Sequence, residues 1–187
     1  MIPIKNRKKT LEVTVEEMRN LSFSYLEKFS PSKQQLKTYL LKKYLKYSNP
    51  KNKKQDIIHL IDIVLLDLEK TKFISDKFYS ESKAKNLIQK GSSINKIRNY
   101  LISKGISNKY VKETINQINE NNENQDFFSA IKLCKRKKIG PSRPEDNRPL
   151  FYKKDISILA RNGFDFETSK RVMDLEKKEF LKIINLL

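Results

Sequence analysis

A short pattern recurs along the chain and restricts its fold more than any other feature. It is clearest as Ile97-x-x-Tyr100-Leu101-x-x-Lys104-Gly105-Ile106, and it returns in part as Leu36-x-x-Tyr39-Leu40-x-x-Lys43-Tyr44-Leu45 and as Ile158-Leu159-x-x-Asn162-Gly163-Phe164. Apolar residues three and four apart share one helix face, and a Gly just after such a run ends the helix. A repeated helix-and-stop unit builds a stacked helical protein rather than an enzyme organised around one pocket. The copies differ at the stop: the first has Tyr44 where the Gly stands, and the third has Asn162 in place of the Lys.

The rest of the chain reads as further helices. Val15, Met18, Leu21, Tyr25 and Leu26 fall at helical spacing, with Glu16 and Glu17 at the positive end of that helix's dipole. Ser32-x-x-Gln35 predicts a capping box ahead of Leu36. Ile57, Ile61, Val64, Leu65 and Leu68 mark a third helix ending near Lys70, after the Asn49-Pro50 loop. Ser75 or Asp76 opens a helix that closes at Gly91, Ser92 or Ser93 caps the next, and Ser107 caps one carrying Tyr110, Val111, Ile115 and Ile118. Beyond the Asn-rich break at 119–125, helices are predicted over Phe127–Lys138, Tyr152–Arg161 and Phe166–Leu175, with a loop from Gly140 to Pro149. No alternation of strand type occurs, and only four Gly are present.

The expected fold is therefore all-α, an elongated array of three tandem three-helix units over 14–70, 71–122 and 123–176. A basic flexible arm, 1–13, precedes it, and a helical tail, 177–187, follows. Elongation is expected because hydrophobic residues are 37% and charged residues 33% of the chain, a large surface for the core available.

Charge then narrows the function. The formal net charge is +18, from 40 Lys and Arg against 22 Asp and Glu, which draws the chain toward phosphate backbones or acidic protein surfaces. A single Cys, Cys134, and a single His, His59, leave no intrachain disulfide and no cysteine-based zinc cluster, and His59 among isoleucines and leucines reads as structural. Neither Asp56 with Asp62 nor Asp76 with Glu81 forms a persuasive catalytic pair, and no Gly-rich phosphate loop is present. The expectation is a non-enzymatic protein with no cofactor and no metal. No apolar run reaches membrane-spanning length and the start lacks a secretion signal, so a cytosolic monomer without a membrane partner is expected.

The ordered set Phe73-Ile74-Ser75-Asp76, Lys90-Gly91, Ile97-Arg98, Leu101 and Lys104-Gly105-Ile106-Ser107 resembles the RecX family, regulators of the RecA recombinase, over roughly Leu21 to Asp174. The family opens its second unit with Gly-Tyr-Leu-Asp-Asp. Lys72-Phe73-Ile74-Ser75-Asp76 keeps the apolar pair and, at Asp76, one acid. The family's Lys-Gly-x-Gly-Pro-x-x-Ile-Arg survives as Lys90-Gly91 and Ile97-Arg98 without the second Gly and the Pro, and Leu87 stands where a basic residue is usual. Lys135-Arg136-Lys137-Lys138 resembles the basic helix end of the family's third unit, and Leu159-x-x-Asn162-Gly163-Phe164 resembles its closing helix pair.

The resemblance implies a protein that lies in the groove of the RecA filament on single-stranded DNA, mainly inhibiting recombinase, ATPase and coprotease activities. RecA and single- and double-stranded DNA are the implied partners. Lys83, Lys85, Lys90, Lys96 and Arg98 of the middle unit, with Lys135, Arg136, Lys137 and Lys138 of the third, are the expected electrostatic contacts. Lys104, just ahead of a helix stop, reads as structural. Tyr39, Phe73, Phe78, Tyr79, Tyr100, Phe164 and Phe166 could stack on bases, but their spacing favours core packing. Two other classes compete: a stand-alone basic helical nucleic-acid-binding protein, and a nuclease whose acids converge only in three dimensions.

Overall fold

The computed structural model describes residues 10–187; residues 1–9, most of the arm expected at 1–13, lie outside the described residues. Among the described residues the chain is all-helical, as the periodicity predicts. The helices are α1 Val15–Leu26, α2 Lys33–Tyr47, α3 Lys54–Lys70, α4 Asp76–Gln89, α5 Ile94–Ser103, α6 Asn108–Asn121, α7 Gln125–Lys137, α8 Arg148–Arg161, α9 Phe166–Met173 and α10 Lys177–Leu186. Contacts gather them into two compact units. The first runs to Tyr79 and takes in Lys104–Ile106; the second comprises Ser80–Ser103 and Ser107–Leu187.

In the first unit α1, α2 and α3 pack on one another around Met18, Leu36, Leu40, Ile57, Ile61, Val64, Leu65 and Leu68, with Ile74 closing the cluster. Leu36, Leu40 and Tyr44 sit one helical turn apart, so α2 turns a single stripe inward. Each such burial contributes about 1.5–3 kcal/mol. Thr14 caps α1 by accepting the Glu17 N–H, and Ser32 with Gln35 forms the predicted capping box of α2. Leu11 donates its N–H to the Tyr47 carbonyl at 2.9 Å.

The second unit's main core joins α7, α8, α9 and α10 through Ile131, Leu133, Cys134, Leu159, Val172, Met173, Phe180 and Ile184. The C-terminal helix is thus part of this core, since Phe180 and Ile184 are buried one turn apart. Within the expected loop at 140–149, two 3-10 turns form, Gly140–Ser142 and Glu145–Asn147. α8 begins four residues earlier than the pattern indicates, at Arg148, because Pro149 in its first turn removes only an N–H that has no partner there.

The aromatic set divides. Tyr79 and Phe164 are buried as core packing requires, and Tyr39 and Tyr100 are half-buried, whereas Phe73, Phe78 and Phe166 are 59%, 69% and 70% exposed. Core packing therefore fails for those three phenylalanines. Phe78 and Phe166 both lie in the first turn of their helices, and helical spacing fixes which residues share a face, not whether another element covers it.

Candidate functional site

Two arrangements bring the motif residues together, and they are copies of one another. At the start of α2 the Ser32 hydroxyl donates to the Lys104 carbonyl at 2.6 Å, while the Lys33 N–H donates to Asp76 Oδ1 at 2.8 Å. At the start of α5 the Ser93 hydroxyl donates to the Asn162 carbonyl at 2.7 Å, and the Ile94 N–H donates to Asp126 Oδ1 at 2.8 Å. In each, a serine-capped helix start is held by the residue ahead of a helix-ending Gly, Gly105 or Gly163, and by the first-turn Asp of another helix. The orphan N–H at each helix start favours the Asp carboxylate, while the carbonyl ahead of the Gly accepts from the Ser hydroxyl.

The electrostatics of the two copies match. Burial pushes the Asp76 carboxyl above its usual range, partly opposed by the Lys33 N–H. Burial does the same at Asp126, partly opposed by the Ile94 N–H. Gly163, at φ +88°, is required: a Cβ there would lie 2.5 Å from the Ser93 hydroxyl oxygen. Ile74, Ile97, Leu101 and Ile106 are buried core, and Phe73 packs edge-on against Phe23 with centroids 4.9 Å apart. The motif residues thus build the scaffold.

The basic candidates fall into separate groups. Lys90, Lys135 and Arg136 meet in one groove beside α10, joined by Lys132 and floored by Ile184 and Leu187. Arg136 Nη1 donates to the Lys90 carbonyl at 2.5 Å, which ties the turn after α4 to the end of α7. Gly91 makes this possible: its φ is +70°, and a Cβ would come within 2.7 Å of the Ser129 carbonyl oxygen. Lys132 was absent from the sequence-based candidates, yet its i, i+3 and i+4 relation to Lys135 and Arg136 was legible.

Lys137 and Lys138 are exposed at the same helix end, and Lys138 closes α7 in the left-handed conformation at φ 55°. Lys96 instead serves the second joint, and Arg98 bonds within α5. Lys96 Nζ donates to Asn162 Oδ1 at 2.8 Å, and Arg98 Nη1 to Asn95 Oδ1 at 2.7 Å. Lys85 is exposed along a separate cleft with Glu81, Gln117 and Asn121, and Lys83 is half-buried on α4.

A buried ion pair escaped the sequence reading. Asp155 is fully buried on α8 and accepts from Arg143 Nε at 2.6 Å, Arg143 Nη2 at 2.9 Å and the Gly140 N–H at 2.8 Å. Burial pushes its carboxyl up, but the Arg143 and Gly140 hydrogen bonds and the guanidinium charge outweigh it and hold it below the usual range. Burial likewise pushes the Cys134 thiol up to about 12, with nearby Asp155 adding to it, which keeps that group out of thiolate chemistry. Among the described residues no group of three His, Cys, Asp or Glu side chains converges as metal ligands, and no helix is long and apolar enough to cross a membrane.

Fold and surface together define an all-helical, strongly basic protein of repeated docking joints. No model of a known protein family matches the chain. It is 25% identical over 175 residues to the regulatory protein RecX of Myxococcus xanthus (strain DK1622), which covers 89% of each chain. A crystal structure of regulatory protein RecX shares the fold, with a TM-score of 0.58 over 86% of this chain and 74% of that one at 19% identity. The resemblance to the RecX family carried by the motifs is borne out in sequence and in fold, and the chain is RecX-like.

Proposed function

We propose that the protein is a non-enzymatic regulator of the RecA filament on single-stranded DNA, inhibiting its ATPase and strand exchange. One observation carries the reading: in a chain similar to RecX over 89% of its length, Lys90, Lys132, Lys135 and Arg136 converge on one groove. In this reading Lys137 and Lys138 extend that surface, Lys83, Lys85 and Arg98 are further candidate contacts, and Lys96 contributes mainly through the scaffold. The three helical units marked by the repeat, over 14–70, 71–122 and 123–176, are in this reading the repeating elements that present the charge. Cations gathered in this way meet phosphates or carboxylates together, which is worth more than scattered surface lysines.

The test is a RecA ATPase assay on single-stranded DNA with the protein added across a salt series. Inhibition that weakens with salt is expected. Absence of inhibition with protein shown to be folded overturns the reading. DNA binding of equal strength with and without RecA would favour a stand-alone nucleic-acid-binding protein instead.

A further inference from the structure

The basic groove of the second unit has a floor that its cations do not explain. The inward stripe of α10 runs Phe180, Ile184, Leu187, at i, i+4 and i+7. Phe180 and Ile184 are buried in the core, whereas Leu187 emerges in the groove and is 46% exposed. Beside it stand Lys90 from the turn after α4 and Lys132, Lys135 and Arg136 from α7.

Charge complementarity points to the occupant. No acid lines this groove, while the cleft of Lys85 contains Glu81 and the cleft of Arg148 contains Glu145, Asp174 and Glu176. Among the described residues, Lys90, Lys132, Lys135 and Arg136 make no salt bridge. Lys132 and Arg136 are one turn apart, a spacing at which like charges repel until an anion lies between them. Cations in the last turn of α7 complement its dipole, but Lys90 and the apolar floor come from other elements and have no part in that. The bond from Arg136 Nη1 to the Lys90 carbonyl holds the guanidinium in place and leaves its other N–H groups for an acceptor with two oxygens.

A nucleic-acid backbone meets these cations but sets its phosphates against Ile184 and Leu187. A protein segment that interleaves carboxylates with a large apolar side chain meets both. We infer that the groove of Lys90, Lys132, Lys135, Arg136, Ile184 and Leu187 takes such an acidic segment, with carboxylates on the cations and the apolar side chain on Leu187. This deepens the regulator reading and rests on it for the partner: the groove engages the protein of the filament, not its DNA.

The test uses the full chain without RecA and a fluorescein-labelled peptide of repeated Glu-Asp-Leu, about nine residues long, followed by anisotropy across a salt series. A peptide of repeated Glu-Asp-Ser and an oligothymidylate serve as comparisons. The Leu peptide is expected to bind about tenfold or more tighter than the Ser peptide, and both more weakly as salt rises. Leu187→Ser is expected to bring the Leu peptide to about the affinity of the Ser peptide with its salt dependence unchanged. Leu187 lies beyond α10, so the variant keeps its circular-dichroism signal. Replacing both Lys132 and Lys135 with Gln is expected to weaken both peptides about tenfold and to flatten their salt dependence.

No binding of the Leu peptide at low salt overturns the inference, as do equal affinities for the two peptides. Loss of oligothymidylate binding as large as the loss of peptide binding in the lysine variant also overturns it, in favour of a phosphate surface. Failure of the peptide with ATPase inhibition intact leaves the regulator reading standing. Peptide binding without ATPase inhibition removes the filament as the partner and upholds the chemistry of the groove.

Discussion

The Ser93 hydroxyl donates to the Asn162 carbonyl at 2.7 Å while accepting the Lys96 N–H at 3.1 Å, so one buried side chain caps α5 and ties it to the end of α8. Ser32 does the same between the start of α2 and Lys104, accepting the Gln35 N–H at 3.2 Å. The sequence repeat is thus the imprint of a repeated joint, since the residues before Gly105 and Gly163 are its acceptors.

Ser93→Ala removes the cap and leaves a carbonyl unmet at the joint. Loss of a cap costs about 1–2 kcal/mol, and an unmet buried acceptor adds to it. The expected outcome is a destabilisation of about 2 kcal/mol or more by urea denaturation, with a similar effect for Ser32→Ala. A change within a few tenths would show that the joint is not stabilising.

The pair Arg143–Asp155 predicts an acid dependence. Because the folded-state carboxyl lies below its unfolded value, its contribution is present above the unfolded value and is lost as pH falls through the folded one, in the window below about 4. Replacing Arg143 with Met leaves the buried Asp155 charge unpaired, at a cost of about 3–5 kcal/mol near neutral pH. Denaturation midpoints measured from pH 7 to 2 check both: the variant should lose less stability on acidification than the parent.

Tyr44 gives a prediction of opposite sign. Among the described residues its buried hydroxyl has no hydrogen-bond partner, and burial, with nearby Glu17, pushes its ionisation up to about 12. Tyr44→Phe removes an unsatisfied polar atom while keeping the ring, so stability should be unchanged or higher by about 1 kcal/mol. A loss beyond that would reveal a partner for the hydroxyl.

Charge reversal at Lys132, Lys135 and Arg136 tests the groove of the second unit. Binding to RecA filaments should fall by at least about tenfold, equivalent to roughly 1.4 kcal/mol, with the helical circular-dichroism signal retained. Reversal of Lys83 alone is expected to change filament binding less, since it stands half-buried outside that groove. Equal effects from both would remove the groove as the contact surface.

Much of the fold was legible because its signals are local. The stripes Leu36–Leu40 and Ile97–Leu101, the Ser32–Gln35 capping box and the Gly105 and Gly163 stops all act within a few residues, and each stands where the periodicity puts it. Part of the basic surface was legible for the same reason, since Lys135 and Arg136 share one helix end. The exposure of Phe73, Phe78 and Phe166 was not, because helical spacing says which residues share a face and not whether another element covers it.

By itself, then, the amino-acid sequence determined an all-helical chain of repeated helix-and-stop units, a strong positive charge and a likeness to the RecX family. The tertiary structure decided which distant groups meet: Ser93 with Asn162, Asp155 with Arg143, Lys132 and Arg136 with Lys90, and Tyr25 with Tyr39. The division has a physical cause. Helix propensity, caps and stops depend on neighbours along the chain, whereas these encounters depend on how helices cross and how closely a glycine lets backbones approach, which is settled only when the cores close.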